Sequence, residues 1–431
     1  MWLGCWKKEM VANMAWEKKL LRDICSKIQY GHTASASKES VGPKFLRITD
    51  IVPETIDWSN VPYCKIVPEK KNKYLLKKGD IVVARTGATT GYAQYIKSCP
   101  ESIFASYLVR LEIKNDVNAR YVGYIVQSDV YKRFIQTNWS GAAQPNANAQ
   151  TLTSFEIHIP PLPIQRKIAS ILSAYDDLIE NNLRRIKILE EMAQNLYREW
   201  FVKFRFPGHE KVRFVDSELG KIPEGWEIDK VGNTFTILGG GTPSKKIPAY
   251  WKHGTINWYT PSDLTGCNLM FMDRSGTKIT ELGLKKSSAK LFPPYSVMMT
   301  SRATLGVLAI NTTEACTNQG FITCIPNQRV PLYFMYHWLK ENVDYFISLG
   351  TGATFKEITK GLFKTVELAI PDQNIVYCFE DKVQPIVQNI LNLQRKNNIL
   401  RQTRDLLLPK LISGELDVSE LDIKMPEENE V

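Results

Sequence analysis

Long apolar runs are missing from the 431 residues. None approaches the roughly 18–20 that a membrane-crossing helix needs. Cysteine is sparse and scattered: Cys5, Cys25, Cys64, Cys99, Cys267, Cys316, Cys324 and Cys378 form no C-x-x-C pair and have no histidine at zinc-ligand spacing. Neither a disulfide framework nor a zinc site is expected, and the thiols read as reduced and structural. The five histidines (His32, His158, His209, His253, His337) are dispersed, none beside a serine or cysteine nucleophile motif, which leaves a hydrolytic triad without support. Gly239-Gly-Gly241 is followed by no P-loop or G-x-G-x-x-G and reads as a flexible turn. Met1–Trp16 lacks the apolar stretch and cleavage site of a secretory signal, Met14 offers an alternative start, and a cytoplasmic location is expected.

What is present is ordinary globular material, 44% apolar and 23% charged. The length is about three times the commonest domain size, so more than one core is expected. Lys and Arg number 55 against 45 Asp and Glu, and the closing segment 417–431 is acidic, so the folded part is more basic still. That balance favours a polyanionic partner.

The chain is written twice, with a period of about 211 residues. Trp16-Glu17 recurs as Trp226-Glu227, Lys44-Phe-Leu-Arg-Ile-Thr-Asp50 as Ile256-Asn-Trp-Tyr-Thr-Pro-Ser-Asp263, and Ala88-Thr-Thr-Gly91 as Ala303-Thr-Leu-Gly306. Ser140-Gly-Ala-Ala-Gln144 matches Thr351-Gly-Ala-Thr-Phe355, and Phe155-Glu-Ile-His-Ile-Pro160 matches Val366-Glu-Leu-Ala-Ile-Pro371. Order is kept throughout, which implies two homologous halves.

Each half opens with about 150 residues of short apolar or alternating runs punctuated by Gly and Pro, the texture of a β-rich α+β domain. A proline turn follows, Pro160-Pro-Leu-Pro163 or Pro371-Asp372, and the apolar period then changes from 2 to 3.5. Long helices are predicted from Ile164 to Phe204 and from Ile375 to Gly414, about 40 residues or roughly 60 Å each. The first carries the seam Ile168, Leu172, Tyr175, Ile179, Asn182, Ile186, Leu189, Ala193, Leu196, Trp200; the second carries Phe379, Val383, Ile386, Ile390, Leu393, Asn397, Leu400, Arg404, Leu407, Leu411. Pro385 should kink the second helix or delay its start. Such helices pair either between two chains or within one. If they lie antiparallel within one chain with full overlap, positions summing to 579 oppose each other. Ile168 then meets Leu411, Leu172 meets Leu407, and Asn182 meets Asn397, where two amides can bond and fix the register.

Two elements imitate catalytic motifs. Phe292-Pro-Pro-Tyr295 resembles the Asn/Asp-Pro-Pro-Tyr element of DNA amino-methyltransferases, but Phe292 cannot accept a hydrogen bond from a target amine. Pro371-Asp372 with Glu380-Asp-Lys382 imitates the metal-binding set of restriction nucleases, yet places the second acid and the lysine on a helix. A single-chain DNA methyltransferase or nuclease is therefore the alternative reading, and a protein-binding coiled-coil scaffold a third.

Pro160-Pro-Leu-Pro-Ile-Gln-Arg-Lys-Ile-Ala169 leading into Ile171-Leu-Ser-Ala-Tyr-Asp-Asp177, the linker Glu218-Leu-Gly-Lys-Ile-Pro-Glu-Gly-Trp226, and the closing Leu408-Pro-Lys-Leu-Ile-Ser-Gly-Glu-Leu416 resemble type I restriction-modification specificity subunits over nearly the whole chain. The resemblance implies an α+β fold with two target-recognition domains, separated by two long antiparallel helices forming an intramolecular coiled coil with pseudo-twofold symmetry. The implied boundaries are 1–163 and 207–373 for the recognition domains (the second with its linker), 164–206 and 374–416 for the helices, and 417–431 for the tail. It further implies a non-catalytic subunit without a cofactor of its own, which reads an asymmetric bipartite target in double-stranded DNA. It would dock two modification subunits that bring S-adenosylmethionine, with restriction subunits joining through the complex. Exposed apolar helix faces suggest poor solubility without those partners. Pro371-Asp-Gln373 is shorter than the family's usual Pro-x-x-x-Gln, and residues 1–13 extend beyond the usual start.

Phosphate contacts are expected from Lys70, Lys71, Lys73, Lys77, Lys78 and Arg85 in the first half, and from Lys245, Lys246, Lys252, Lys285, Lys286 and Arg302 in the second. Base contacts are expected from Arg47, Thr49, Thr86, Gln144, Asn146 and Asn148, then Thr242, Ser244, Tyr259, Ser262, Thr304 and Thr351, because amides, hydroxyls and guanidinium groups on loops can address base edges. Removing Arg47 or Arg85 should weaken DNA binding and spare assembly.

Overall fold

The computed structural model describes residues 16–138, 147–267, 269–352 and 356–423. Two compact units emerge: one takes the chain up to Glu180 together with residues from Ile399 on, the other Asn181–Asn398. Both long helices therefore contribute to both units, a division that the linear boundaries above do not express. Among the described residues no helix is long and apolar enough to cross a membrane.

The units share one strand plan. In the first, an antiparallel sheet runs in the order Cys25–Tyr30, Leu108–Ile113, Ile81–Ala84, Ala93–Tyr95. In the second the order is Thr236–Gly239, Phe321–Ile325, Val297–Thr300, Leu308–Asn311, with Phe271–Met272 added in parallel. Beside each lies a parallel pair, Lys44–Leu46 with Ser102–Phe104 and Ile256–Tyr259 with Ala315–Thr317. The central strands Ile81–Ala84 and Val297–Thr300 are buried at every position, and apolar at all but Thr300, because the sheet separates two cores. Ile81 and Val83 enter one cluster while Val82 and Ala84 enter another, and Val297 and Met299 are divided from Met298 in the same way.

The recurring terminal motifs of each half are partners. Glu17–Leu20 pairs antiparallel with Glu156–Ile159, and Glu227–Lys230 with Glu367–Ile370. This closes each domain just before a long helix leaves it.

The first long helix spans Leu162–Tyr197 and continues as a π-helical stretch, Arg198–Val202. The α-helix predicted to Phe204 is thus replaced at its end. The wider turn lets both Trp200 and Phe201 face inward, where they pack with Phe379 at ring-centroid distances of 6.0 and 5.0 Å. The second spans Gln373–Ile412, running through Pro385 from an early start. Pro385 therefore does not delay the helix. A proline costs about 3 kcal/mol in a helix interior, but buried Val383, Val387 and Ile390 on either side, each 0% exposed, supply a larger packing term. Gly414, with φ +76°, ends the helix, and a Cβ added there would lie 3.2 Å from the Trp16 ring.

The helices pair antiparallel inside each unit, in the register expected. In the second unit Asn182 Nδ2 donates to Asn397 Oδ1 at 2.8 Å and Trp200 lies on Phe379. In the first, Ile168, Leu172 and Leu411 are wholly buried in one cluster with Leu407 packed against it. One seam position is charged: Arg404 donates to Asp176 and to Glu54, both at 2.7 Å. Burial works against the charge of Arg404 and of Glu54 alike; bonds to Asp176 and then Glu54 reverse this and raise the arginine, while bonds from Arg401 and then Arg404 lower the carboxyl.

Candidate nucleic-acid interface

In the first unit, backbone bonds gather distant loops at one end of the sheet. Gly31 N–H donates to Leu108 O, His32 N–H to Phe104 O, Ala105 N–H to Leu46 O, Arg85 N–H to Tyr107 O and Ala147 N–H to Arg85 O, all between 2.8 and 3.2 Å. The second unit repeats the arrangement with Gly241 N–H to Thr317 O, Asn318 N–H to Tyr259 O and Ser301 N–H to Gly320 O, at 2.8 to 2.9 Å. The two loop ends are therefore equivalent, and most of the sequence-selected residues lie on them.

On the first loop end stand Arg47, Thr49, Arg85, Thr86 and Asn148. Arg85 lies over the Tyr30 ring, 4.9 Å from its centroid, and the Tyr30 hydroxyl accepts the Ala149 N–H at 2.9 Å. Asn148 caps the short helix Ala149–Thr153 by accepting the Thr151 N–H at 2.8 Å. Arg47 is bound by Asp50 through Nε at 3.0 Å and Nη2 at 2.8 Å, and Asp50 also accepts the Arg47 N–H. The recurring aspartate of this motif, Asp50 or Asp263, is thus a helix cap in both units. Hydrogen bonding to Asp50 raises the Arg47 pKa. Thr49 beside it is exposed. Gln144 and Asn146 lie outside the described residues.

The lysines Lys70, Lys71 and Lys73 ride the helix Pro68–Tyr74. Lys70 and Lys73 are exposed, and Lys71 pairs with Glu101. Buried Arg110 seats this helix by donating to Lys73 O at 3.3 Å and to Leu75 O at 2.6 Å, and Gln29 Nε2 donates to Lys73 O at 3.0 Å. Lys77 is engaged with Glu112 at 2.9 Å.

On the second loop end, Thr242 Oγ1 donates to Gln319 Oε1 at 2.6 Å. Arg302 is held by Glu357 at 2.9 Å, and Glu357 exchanges backbone bonds with Thr351. Thr304 follows in the same loop, and Ser262 is exposed after the strand Ile256–Tyr259. Ser244, Lys245, Lys246 and Lys252 are exposed, as are Lys285 and Lys286 on the neighbouring helix end. Tyr259 does not belong with them: it is 0% exposed and its hydroxyl donates to Met272 O at 3.1 Å. Its strand alternation turns it into the core, so it cannot address a base.

The glycine run is not a flexible turn. A Cβ on Gly240 would lie 1.9 Å from Asn318 O, and one on Gly241 would lie 2.2 Å from Ser288 Oγ. Gly31 occupies the matching place in the first unit, 2.2 Å from Ala105 O by the same construction. Tyr30, Gln319, Glu357 and the seating role of Arg110 escaped sequence reasoning. Their partners are remote in the chain, and only the repeat could have pointed to them.

Neither catalytic imitation forms a site. Phe292 is buried and exchanges backbone bonds with Ala315. Glu380 instead caps the helix Leu332–Glu341, accepting Phe334 N–H at 2.7 Å and Tyr333 N–H at 3.3 Å. Burial pushes its carboxyl up to about 7 despite those bonds. Among the described residues no group of three or more His, Cys, Asp or Glu could hold a metal.

Comparison with known proteins agrees with this geometry. The family model of the type I restriction modification DNA specificity domain matches twice, at residues 13–191 and 223–404. The chain is 28% identical over 315 residues to the type I restriction enzyme MjaIX specificity subunit of Methanocaldococcus jannaschii, covering 72% of this chain and 71% of that one. It is 23% identical over 465 residues to the HindI specificity subunit of Haemophilus influenzae, covering 93% and 99%. The crystal structure of a type I restriction-modification S subunit from M. genitalium shares the fold, with a TM-score of 0.55, 13% identity and coverage of 94% and 98%.

Proposed function

The chain belongs to the type I restriction-modification DNA specificity family, and from that premise we propose that it reads an asymmetric, two-part DNA sequence. One part is read by the loop end of each unit, and two modification subunits dock on the outer faces of the long helices. The chain is the non-catalytic, sequence-reading member of its system. The observation that carries this reading is that both units build the same loop end from the same backbone bonds but furnish it differently. Arg85, Tyr30, Asn148 and a lysine helix stand on one; Thr242, Gln319, Arg302 and Glu357 stand on the other. Like scaffolds with unlike side chains suit two different half-sites. Exposed Lys70, Lys73, Lys245 and Lys246 supply salt-dependent phosphate attraction.

The repeat supports a count of two docked partners. Ile188 and Ile399 occupy equivalent positions 211 residues apart, and they are 56% and 63% exposed, one in each unit. Exposed isoleucines at matching heptad positions favour two copies of one partner. Sequencing methylated bases in cells carrying this chain with its partner subunits tests the reading. A single motif of two unlike parts separated by an unspecified gap is expected. A contiguous or palindromic motif, or no methylation, overturns it.

A further inference from the structure

Each loop end presents one arginine on the hairpin loop that follows a central strand, Arg85 after Ile81–Ala84 and Arg302 after Val297–Thr300. In each case a residue from another loop braces the guanidinium. Tyr30, 42% exposed at the end of its strand, lies under Arg85 at 4.9 Å and is itself held by the Ala149 N–H at 2.9 Å. Glu357 takes the Nε and Nη2 of Arg302 on one carboxylate oxygen, both at 2.9 Å. The glutamate is fixed in turn by backbone bonds in both directions with Thr351, and Ile358 N–H donates to Ser301 O at 3.0 Å.

Resting on the function proposed above, we infer that Arg85 and Arg302 read a guanine, one in each part of the target, with Tyr30 and Glu357 as the residues that position them. An arginine meant for phosphate needs charge and reach but no set plane. One that donates two parallel bonds to guanine O6 and N7 must lie in the plane of the base. A plane fixed before DNA arrives spares the ordering of a long side chain on binding. The Glu357 carboxylate has a second effect, since its charge repels phosphate and so turns Arg302 away from backbone capture. It also occupies the Nε side, leaving the Nη1–Nη2 edge to supply two donors. The lysines nearby, as point charges on flexible stems, suit the phosphates instead.

The test uses the full chain assembled with its modification subunits. The methylated motif is sequenced in cells, and binding is measured by fluorescence anisotropy on duplexes in which each motif base is replaced in turn. Arg85→Ala should remove the preference for one guanine in one part, lowering discrimination there by roughly 5- to 150-fold, and leave the other part untouched. Arg302→Ala should do the converse. Tyr30→Leu should reproduce the Arg85→Ala loss at the same base, whereas Tyr30→Phe, which keeps the ring but loses the bond from the Ala149 N–H, should retain more of the preference. Glu357→Ala should relax the Arg302 position more than Glu357→Gln, which retains an acceptor. The unaffected part of the motif reports in each variant that the chain is folded and assembled. Equal weakening on all sequences would make the arginines phosphate contacts and overturn the inference, as would a motif without guanine in either part. An unchanged preference in Tyr30→Leu or Glu357→Ala overturns the positioning roles. A wild-type complex with no two-part motif overturns the underlying function instead.

Discussion

Asn182 Nδ2 donates to Asn397 Oδ1 at 2.8 Å, with the two residues 3% and 1% exposed in an otherwise apolar stretch of seam. Removing either amide takes this buried bond from the other. Asn182→Leu should therefore lower the unfolding free energy by about 1–3 kcal/mol, and Asn397→Leu by a similar amount. The double variant should recover most of the loss, because two leucines need no polar partner. Its cost should appear as reduced specificity of register, seen as faster amide exchange along the seam. Denaturant midpoints of the single and double variants check this. Additive losses would show that the amides act independently.

The stability of the second unit should depend on pH through two groups with opposite signs. Gln194 Nε2 donates to the Glu341 carboxylate at 2.7 Å, so its Oε1 faces His337 Nδ1, also at 2.7 Å, and that nitrogen carries the proton. Among the described residues the buried Nε2 has no hydrogen-bond partner, and burial, helped by Lys340, lowers the His337 pKa to about 3. Between 6.5 and 3 the unfolded chain takes up a proton that the folded chain refuses, so stability is lost as the pH falls through that window. Glu380 behaves conversely. Raised by burial to about 7, it keeps its proton in the fold while the unfolded chain ionises above 4.5, so stability is lost as the pH rises from 4.5 to 7. Glu380→Gln should flatten the upper limb of a denaturant-midpoint profile, and His337→Gln the lower one. Profiles parallel to wild type would remove both assignments.

The helix pairing was legible in the sequence to the residue, because a heptad seam fixes which positions meet once one register is assumed, and the two asparagines select that register. The paired terminal strands were legible as recurring motifs, though not as partners. What remained hidden depends on contacts between distant segments. Nothing near Tyr30 announces that Arg85 lies on its ring, and nothing near Glu380 shows that its carboxylate caps Leu332–Glu341. Tyr259 was misplaced because a polar-tipped aromatic reads alike on either face of a strand. Pro385 reads as a break by its local cost, which a buried helix face outweighs.

Docking of the modification subunits should be separable site by site. A charge at Ile188 or Ile399 would be carried into an apolar contact without a partner, at a cost far above that of its exposed position in the free chain. Ile188→Glu and Ile399→Glu should each bind one modification subunit in place of two, and the double variant none, while DNA-independent folding is kept. Native mass spectrometry of the mixtures gives the count directly. Two subunits retained on the double variant would move the docking surface elsewhere.

The close backbone approach at the two loop ends gives the last prediction. At Gly31 and Gly240 an added Cβ would lie 2.2 and 1.9 Å from a carbonyl oxygen of the neighbouring segment, Ala105 O or Asn318 O. Those oxygens belong to residues whose own N–H groups hold Leu46 and Tyr259, so the chain cannot yield at one point without loosening the whole end. Gly31→Ala and Gly240→Ala should each destabilise the unit they belong to by roughly 1–3 kcal/mol. Because the reading residues hang on the same bonds, each should also blur the part of the target that its own unit reads. Gly208→Ala provides the contrast: it meets nothing within 4 Å among the described residues, and its penalty comes from a φ of +87° away from either loop end. Methylation mapped for the three variants decides the matter. If Gly31→Ala and Gly240→Ala disturb both parts equally, the loop ends are not the separate readers that the repeated bonds make them.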